Sequence, residues 1–374
     1  MATRKYRIII LGAGFSVQAH LPLADELWMK ILAKRKTLRG RAAKFNDDLD
    51  SYIKYCKECD GKKLTYESVN FEEFLGFLDI EHYLELRGGD TWSDNGNEGQ
   101  IVIKTFIGEI LSGYMPGPND IPELYLEFAR RLQPNDYVLT FNYDVLLERA
   151  LDAVGKPYRL FPERYNSSKE EVIIRKLHGS IDWFDKRNYL ESVKNYQKHG
   201  TKEKPNNIIF NCKEDWGLSK ILDDPRHDDD PLFNIYRATD IENLYKKPLM
   251  FLATPWILTP STNKIVYAKQ LRDFWSGLGR AGGTNFGMTI VGFSLAPHDI
   301  YTRQAIYSLV KNYQVVNWGK EMYGQKKSPL VLVDCKTTEK DIEDYKKNYR
   351  FVDFRKAELH MKGFDLEAIE KIFS

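Results

Sequence analysis

The chain has 374 residues, 43% hydrophobic and 13% aromatic, enough to bury a sizeable core without disulfides or metal clips. Its 55 Lys and Arg against 53 Asp and Glu leave a formal charge of +2, which excludes a global electrostatic drive toward nucleic acid or anionic lipid. No run of about 18 apolar residues occurs, and the opening YRIIIL stretch is too short for a secretory signal, so a cytoplasmic protein with more than one module is expected.

The run from Tyr6 to Leu11 is apolar and β-branched and stops at Gly12-Ala13-Gly14. It reads as a buried parallel strand entering a tight turn. Leu23, Leu27 and Ile31 then recur at four-residue steps behind Pro22, predicting a helix. Strand, glycine turn and helix are the order of a nucleotide-binding βα unit, in which backbone amides approach a pyrophosphate. Val17 stands where the dinucleotide fingerprint has its third glycine, so an ordinary turn is an equal reading of LGAGFS.

Residues 37–133 carry helical periodicity: Phe71, Phe74, Leu75 and Leu78 share one face, as do Leu124, Phe128 and Leu132. A helical module is expected there, interrupted by a polar glycine-rich stretch from Arg87 to Gln100. Buried-strand patterns follow at 137–141, 172–177, 249–253, 288–293 and 330–334, separated by turns or helical stretches, which predicts a mainly parallel sheet. The charged segment 185–247 reads as an irregular insertion, with Asp228 to Asp230 a solvated loop, and 336–374 as a C-terminal extension. Of Cys56, Cys59, Cys212 and Cys335 only the first two form a CxxC pair, which reads as exposed and reduced; four zinc ligands are not assembled, and no metal is expected.

Polar residues cluster where the predicted strands end, the place at which open α/β sheets hold ligands. Asn142 and Asp144 follow YVLTF; Asn142 offers donor and acceptor to a ribose hydroxyl or a water, but either residue also suits the cap of the next helix. His178-Gly179 follows VIIRKL. Gly292 and Ser294 close MTIVGF ahead of Asp299, where a phosphate contact competes with a plain turn.

In this order GAGFS (12–16), NFEEFL (70–75), TFNYD (140–144), KLHGSIDW (176–183) and GFS (292–294) resemble the sirtuins, specifically their bacterial defence-associated branch, over most of the chain from Tyr6 to about residue 335. The resemblance implies a Rossmann-like α/β domain from 1–36 and 134–335, with the 37–133 helical module over an NAD site. It implies Gly12, Ala13 and Gly14 under the pyrophosphate, Ser16 near the ribose, Asn142 and Asp144 at the nicotinamide ribose and attacking group, His178 as base, and Gly292 and Ser294 on the adenosine side. The zinc cysteines, the loop arginine and the acyl-lysine strand of sirtuin deacylases have no counterpart here. The implied activity is therefore an NAD glycohydrolase serving anti-phage, abortive-infection defence, with NAD as substrate; a protein deacylase or a non-catalytic NAD or ADP-ribose sensor is the alternative. Implied partners are further copies of the chain and a HerA-type DNA-translocase ATPase or a short Argonaute, with no direct nucleic-acid or membrane contact.

Overall fold

A computed structural model describes residues 6–87, 96–160, 170–200, 205–222, 224–225, 227–247, 254–283, 285–297, 299–315 and 327–374. The expected strand at 249–253 and most of the glycine-rich stretch after Arg87 lie outside the described residues. The chain divides into two compact units, one of Met1–Leu23, Met115–His178 and Leu271–Ser374, the other of Ala24–Tyr114 and Gly179–Gln270. These limits differ from the expected 1–36/134–335 and 37–133 in three ways. The first predicted helix goes with the second unit, the helix around Phe128 with the first, and residues 179–270 with the second.

The first unit is a Rossmann-like α/β body. Its strands are β1 (Arg7–Leu11), β2 (Tyr137–Thr140), β3 (Tyr158–Leu160), β4 (Val172–Lys176), β9 (Gly287–Val291), β10 (Leu330–Val333) and β11 (Ala357–His360). They form one seven-stranded sheet in the order β11-β10-β9-β1-β2-β4-β3, every neighbouring pair parallel. Successive side chains point to opposite faces, yet Ile8, Ile9, Ile10 and Leu11 are all at most 1% exposed. A strand buried on both faces must be apolar throughout, which is why β1, β9 and β10 read as continuous hydrophobic runs.

The register sets the ends level. Leu11 pairs with Thr140 and Val291, Thr140 with Lys176, and Val291 with Val333. Strand order reverses at β1, with β2 and β4 to one side and β9 and β10 to the other, making a topological switch point. The segment expected as an extension is part of this sheet: β11 pairs with β10 from Leu330↔Ala357 to Val333↔His360. Its four residues AELH include two polar ones and only His360 is fully buried, so it lacked the apolar signature of the inner strands. Helices α5 (Glu123–Arg131) and α6 (Leu146–Ala153) also belong to this unit. So do α9 (Arg272–Trp275), α10 (Leu278–Ala281), α11 (Ile300–Val315), α12 (Glu339–Asn348) and α13 (Leu366–Phe373).

The second unit combines α1 (Ala24–Arg35), α2 (Lys44–Cys59), α3 (Phe71–Tyr83) and α4 (Glu98–Tyr114) with an antiparallel sheet. That sheet runs β6 (Ser219–Lys220), β7 (Ile235–Arg237), β5 (Gly179–Asp185), β8 (Pro255–Ile257), accompanied by α7 (Arg187–His199) and α8 (Ile241–Tyr245). The segment 185–247 thus contains ordered strands and helices; two- and three-residue strands carry too few positions for a readable period. On α3 the predicted stripe is the buried one: Phe71, Phe74, Leu75 and Leu78. Asn70 caps it, accepting from the N–H groups of Glu72 and Glu73 at 3.0 Å each. Leu27 and Ile31 are buried on α1, whereas Leu23 precedes the helix and is exposed.

The CxxC expectation needs correction. Cys56 is buried on the inner face of α2 and only Cys59 is exposed, because residues three apart on a helix edge can fall either side of the waterline. Gly179 opens β5 at φ +78°, and a Cβ there would lie 2.2 Å from the Trp256 carbonyl of β8. The sheet itself therefore requires this glycine. No helix among the described residues is long and apolar enough to cross a membrane.

Candidate functional site

Because Leu11 and Thr140 are paired, the turns that follow β1 and β2 emerge side by side at one edge of the sheet. Ser16 from the first turn meets Asn142 and Asp144 from the second. The Asn142 side-chain amide donates to Ser16 Oγ at 3.2 Å, and Ser16 Oγ donates in turn to Asp144 Oδ2 at 2.9 Å. All three are buried. Asn142 is not a helix cap: its side chain serves Ser16, and its backbone N–H donates to Thr140 Oγ1 at 3.1 Å. Asp144 does both jobs, with Oδ1 accepting from the Leu146 N–H at 3.1 Å where α6 begins.

Burial pushes the Asp144 carboxyl up from its ordinary range, opposed by the charge of Lys176 and by the Leu146 and Ser16 hydrogen bonds. Lys176, the last residue of β4, lies wholly inside the protein and donates to the Asp144 carbonyl at 2.6 Å and to Glu148 Oε1 at 2.9 Å. The buried Lys176–Glu148 pair thus sits directly behind the Asn142–Ser16–Asp144 chain. Sequence reasoning missed both residues. The available signal was the basic pair Arg175-Lys176 closing the apolar run of a buried strand, VIIRK.

His178 follows β4 by two residues and is 5% exposed. Aromatic rings surround it: Phe141 edge-on at 5.1 Å, and Tyr143, Trp275 and Tyr301 each at 6.3 Å between centroids. Phe141 also stacks on Phe293, from the turn after β9, at 4.5 Å and 6°. The Tyr301 hydroxyl lies 2.8 Å from His178 Nε2. Trp275 and Tyr301 carried no mark in the sequence, since they come from α9 and α11, far along the chain from KLHGS.

The glycine turn is more enclosed than a bare phosphate cradle. Gly12 donates its N–H to the Val291 carbonyl and Gly14 to the Gly292 carbonyl, each at 2.9 Å. Gly292 is at φ +61°, and a Cβ on it would lie 2.3 Å from the Gly14 carbonyl carbon. The two turns at the switch point therefore interlock backbone to backbone. Ala13 is exposed and opens a seven-residue 3-10 helix, Ala13–Ala19; the α-helix expected to follow the turn starts later, at Ala24. Tyr125 of α5 donates to the Phe15 carbonyl at 2.8 Å and holds this stretch from behind. Ser294 is exposed, its carbonyl accepting from Asn348 Nδ2 at 3.0 Å. It stands on the same turn as Gly292, apart from the buried Ser16–Asn142–Asp144 chain.

One metal-type grouping occurs among the described residues, His360 with Asp365 and Glu367, also in the first unit. Its carboxylates already have protein partners. Lys362 and Lys371 each pair with Glu367 at 3.0 Å and hold its carboxyl down at about 2, while Asp365 accepts from the Ala368 N–H at the start of α13.

Residues 136–233 match the family model of a SIR2-like domain. The SIR2-like stretch is less than half of the chain but contains Asn142, Asp144, Lys176 and His178, and leaves out the turns of Gly12–Ser16 and Gly292. Solved structures similar to the whole chain include a sirtuin from work on substrate affinity, at 12% identity, covering 98% of this chain and 92% of that one with a TM-score of 0.32. Another is a Sir2 enzyme from work on mechanism and regulation, at 15%, 99%, 90% and 0.33. A third is a Sir2–p53 peptide–NAD+ complex, at 12%, 98%, 91% and 0.33. Likeness at this level carries no residue correspondence. A comparison with curated proteins finds no match.

Proposed function

We propose that the chain is an NAD glycohydrolase, cleaving NAD to nicotinamide and ADP-ribose and so depleting it during anti-phage defence. The observation that carries this reading is the buried Asn142–Ser16–Asp144 chain. It stands at the same sheet edge as His178, and the SIR2-like match includes three of these four residues.

The chemistry asked of the site is modest. As the nicotinamide–ribose bond breaks, the electron pair leaves with nicotinamide and positive charge passes to the ribose, giving an oxocarbenium-like transition state. Water adds to the ribose carbon and loses a proton, so that NAD+ and water give nicotinamide, ADP-ribose and H+. In this reading Asn142 orients the ribose or the attacking water, and Ser16 and Asp144 hold Asn142 and contribute negative potential. His178 accepts the proton, a role suited to an imidazole near neutral pH. Gly12, Ala13 and Gly14 line the pyrophosphate, and Gly292 and Ser294 the adenosine side. The Gly12 and Gly14 amides already donate within the protein, so these glycines contribute close backbone approach rather than free N–H groups. NAD is the substrate and no metal takes part.

Unrestrained NAD cleavage would harm the cell that carries it, which supports control by assembly: a homo-oligomer joined by a HerA-type DNA-translocase ATPase, or by a short Argonaute. The deciding experiment is chromatographic analysis of products after incubating the purified chain with NAD, alone and with the ATPase. Nicotinamide and ADP-ribose released together support the hydrolase. NAD left intact in both conditions overturns it.

A further inference from the structure

The proposed base is not isolated. We infer that Tyr301 is a positioning residue for His178, fixing the imidazole through its hydroxyl and favouring the protonated ring; this rests on the hydrolase reading for its catalytic meaning. The hydroxyl and Nε2 are 2.8 Å apart, a normal hydrogen-bond distance, and Tyr301 is itself fixed by its ring contact with Trp275 at 5.1 Å. Tyr301 lies in the first turn of α11, so its backbone is held by a helix rather than a loop.

The groups around the ring set its electrostatics. Titratable groups facing His178 include Tyr143 from the turn after β2 and Tyr301 from α11, while Phe141 and Trp275 supply ring surface. Asp299 acts on Tyr301 as the nearby charge. Burial first, and then Asp299, push the Tyr301 phenol far above its ordinary range, so it remains a neutral O–H at any working pH. A neutral phenol can serve both states of the imidazole. It accepts from Nε2–H of the neutral ring, which leaves Nδ1 as the nitrogen that takes the proton, and accepts from Nε2–H again once the ring is charged. The second bond is charge-assisted and roughly twice as strong as the first. Tyr301 therefore stabilises imidazolium more than imidazole.

The test is Tyr301→Phe, which keeps the ring and its packing and removes one oxygen. The apparent pKa of His178, read by 15N NMR on histidine-labelled protein with His178→Ala identifying its signal among the seven histidines, should fall by about one unit. In NAD cleavage kcat should drop about tenfold with KM nearly unchanged, and the acid limb of kcat/KM should move to lower pH. Adding Tyr301→Phe to His178→Ala should cost no further activity, since Tyr301 acts only through the imidazole. An unmoved titration, or a KM effect with kcat intact, overturns the inference. If the wild-type chain cleaves no NAD, the hydrolase reading fails by itself, and the titration alone still decides the Tyr301–His178 relation.

Discussion

Asn142 donates its side-chain amide to the hydroxyl of Ser16 at 3.2 Å, joining residues 126 positions apart. The contact exists because β1 and β2 are adjacent and in register to their last residues, so two turns unrelated in sequence emerge at the same height. Ser16 passes the bond on to Asp144, and the polarity of the chain is fixed: amide to hydroxyl to carboxylate. Asn142 thereby keeps its side-chain carbonyl out of that chain.

Replacing Asn142 by alanine should therefore separate chemistry from folding. The lost bond is worth about 1 kcal/mol, and no helix cap is removed. On the hydrolase reading proposed above, turnover of NAD should fall by more than about 100-fold while NAD affinity, which that reading assigns mostly to pyrophosphate and adenosine contacts, is largely kept. Thermal melts and turnover on the same samples check this; a lowered melting point with normal turnover per folded molecule would defeat the assignment.

The Lys176–Glu148 pair predicts a different pattern. Both side chains are at most 2% exposed, so Lys176→Met leaves a buried carboxylate without its cation and should destabilise by about 3–5 kcal/mol. Combining it with Glu148→Leu removes the stranded charge and should restore most of the loss. Urea titrations of the two variants measure both effects. Equal stability of the single and double variants would show that the pair carries no such coupling.

The inner strands and the residues at their ends were legible because parallel strands buried on both faces write unbroken apolar runs, and a polar residue just beyond such a run stands out. Asn142, Asp144 and His178 stand out that way as candidates. Whether Asn142 capped α6 or faced a partner was not legible, since both uses ask for the same residue; only the position of Ser16 decides it. Lys176 and Tyr301 were missed for a shared reason. Each acts through a contact set by packing, Lys176 behind the turn after β2 and Tyr301 from a helix more than a hundred residues downstream of His178. The edge strand β11 and the short strands β6 to β8 were invisible because they are brief or half-solvated, where period-two patterning fades.

In the second unit, Asp79 of α3 is wholly buried, accepting from Gln100 Nε2 at 2.6 Å and from the Ser261 hydroxyl. Burial raises its carboxyl to about 6 from an ordinary 3.8, against the lowering effects of Ser261, Lys104, Gln100 and Lys264. A folded-state value above the unfolded one means that the native state holds this proton more tightly. The contribution to stability is full below pH 3.8 and is lost as pH rises through about 6. By the linkage constant it amounts to something on the order of 3 kcal/mol. The stability of Asp79→Asn relative to wild type should accordingly rise between pH 4 and 7; a difference flat across that range would contradict the shift.

The interlocked turns at the switch point give the last prediction. Gly292 and Gly155 have nearly the same left-handed φ, +61° and +65°, but differ in surroundings: a Cβ at Gly155 would meet nothing within 4 Å, whereas one at Gly292 would lie 2.3 Å from the Gly14 carbonyl carbon. Alanine at Gly155 should cost only the left-handed strain, about 1–2 kcal/mol. Alanine at Gly292 adds a backbone collision that no side-chain rotation can relieve. The turns of β1 and β9 would have to part, breaking the Gly14 N–H bond to Gly292 and disturbing the Phe293 ring that stacks on Phe141 beside His178. Gly292→Ala should therefore be the more destabilising by several kcal/mol and, on the proposed hydrolase reading, lose NAD turnover even in the folded fraction, while Gly155→Ala keeps it. Denaturant titrations paired with turnover on both variants test this. Equal losses at the two positions would mean that backbone strain alone, and not the glycine-on-glycine contact, governs the turn.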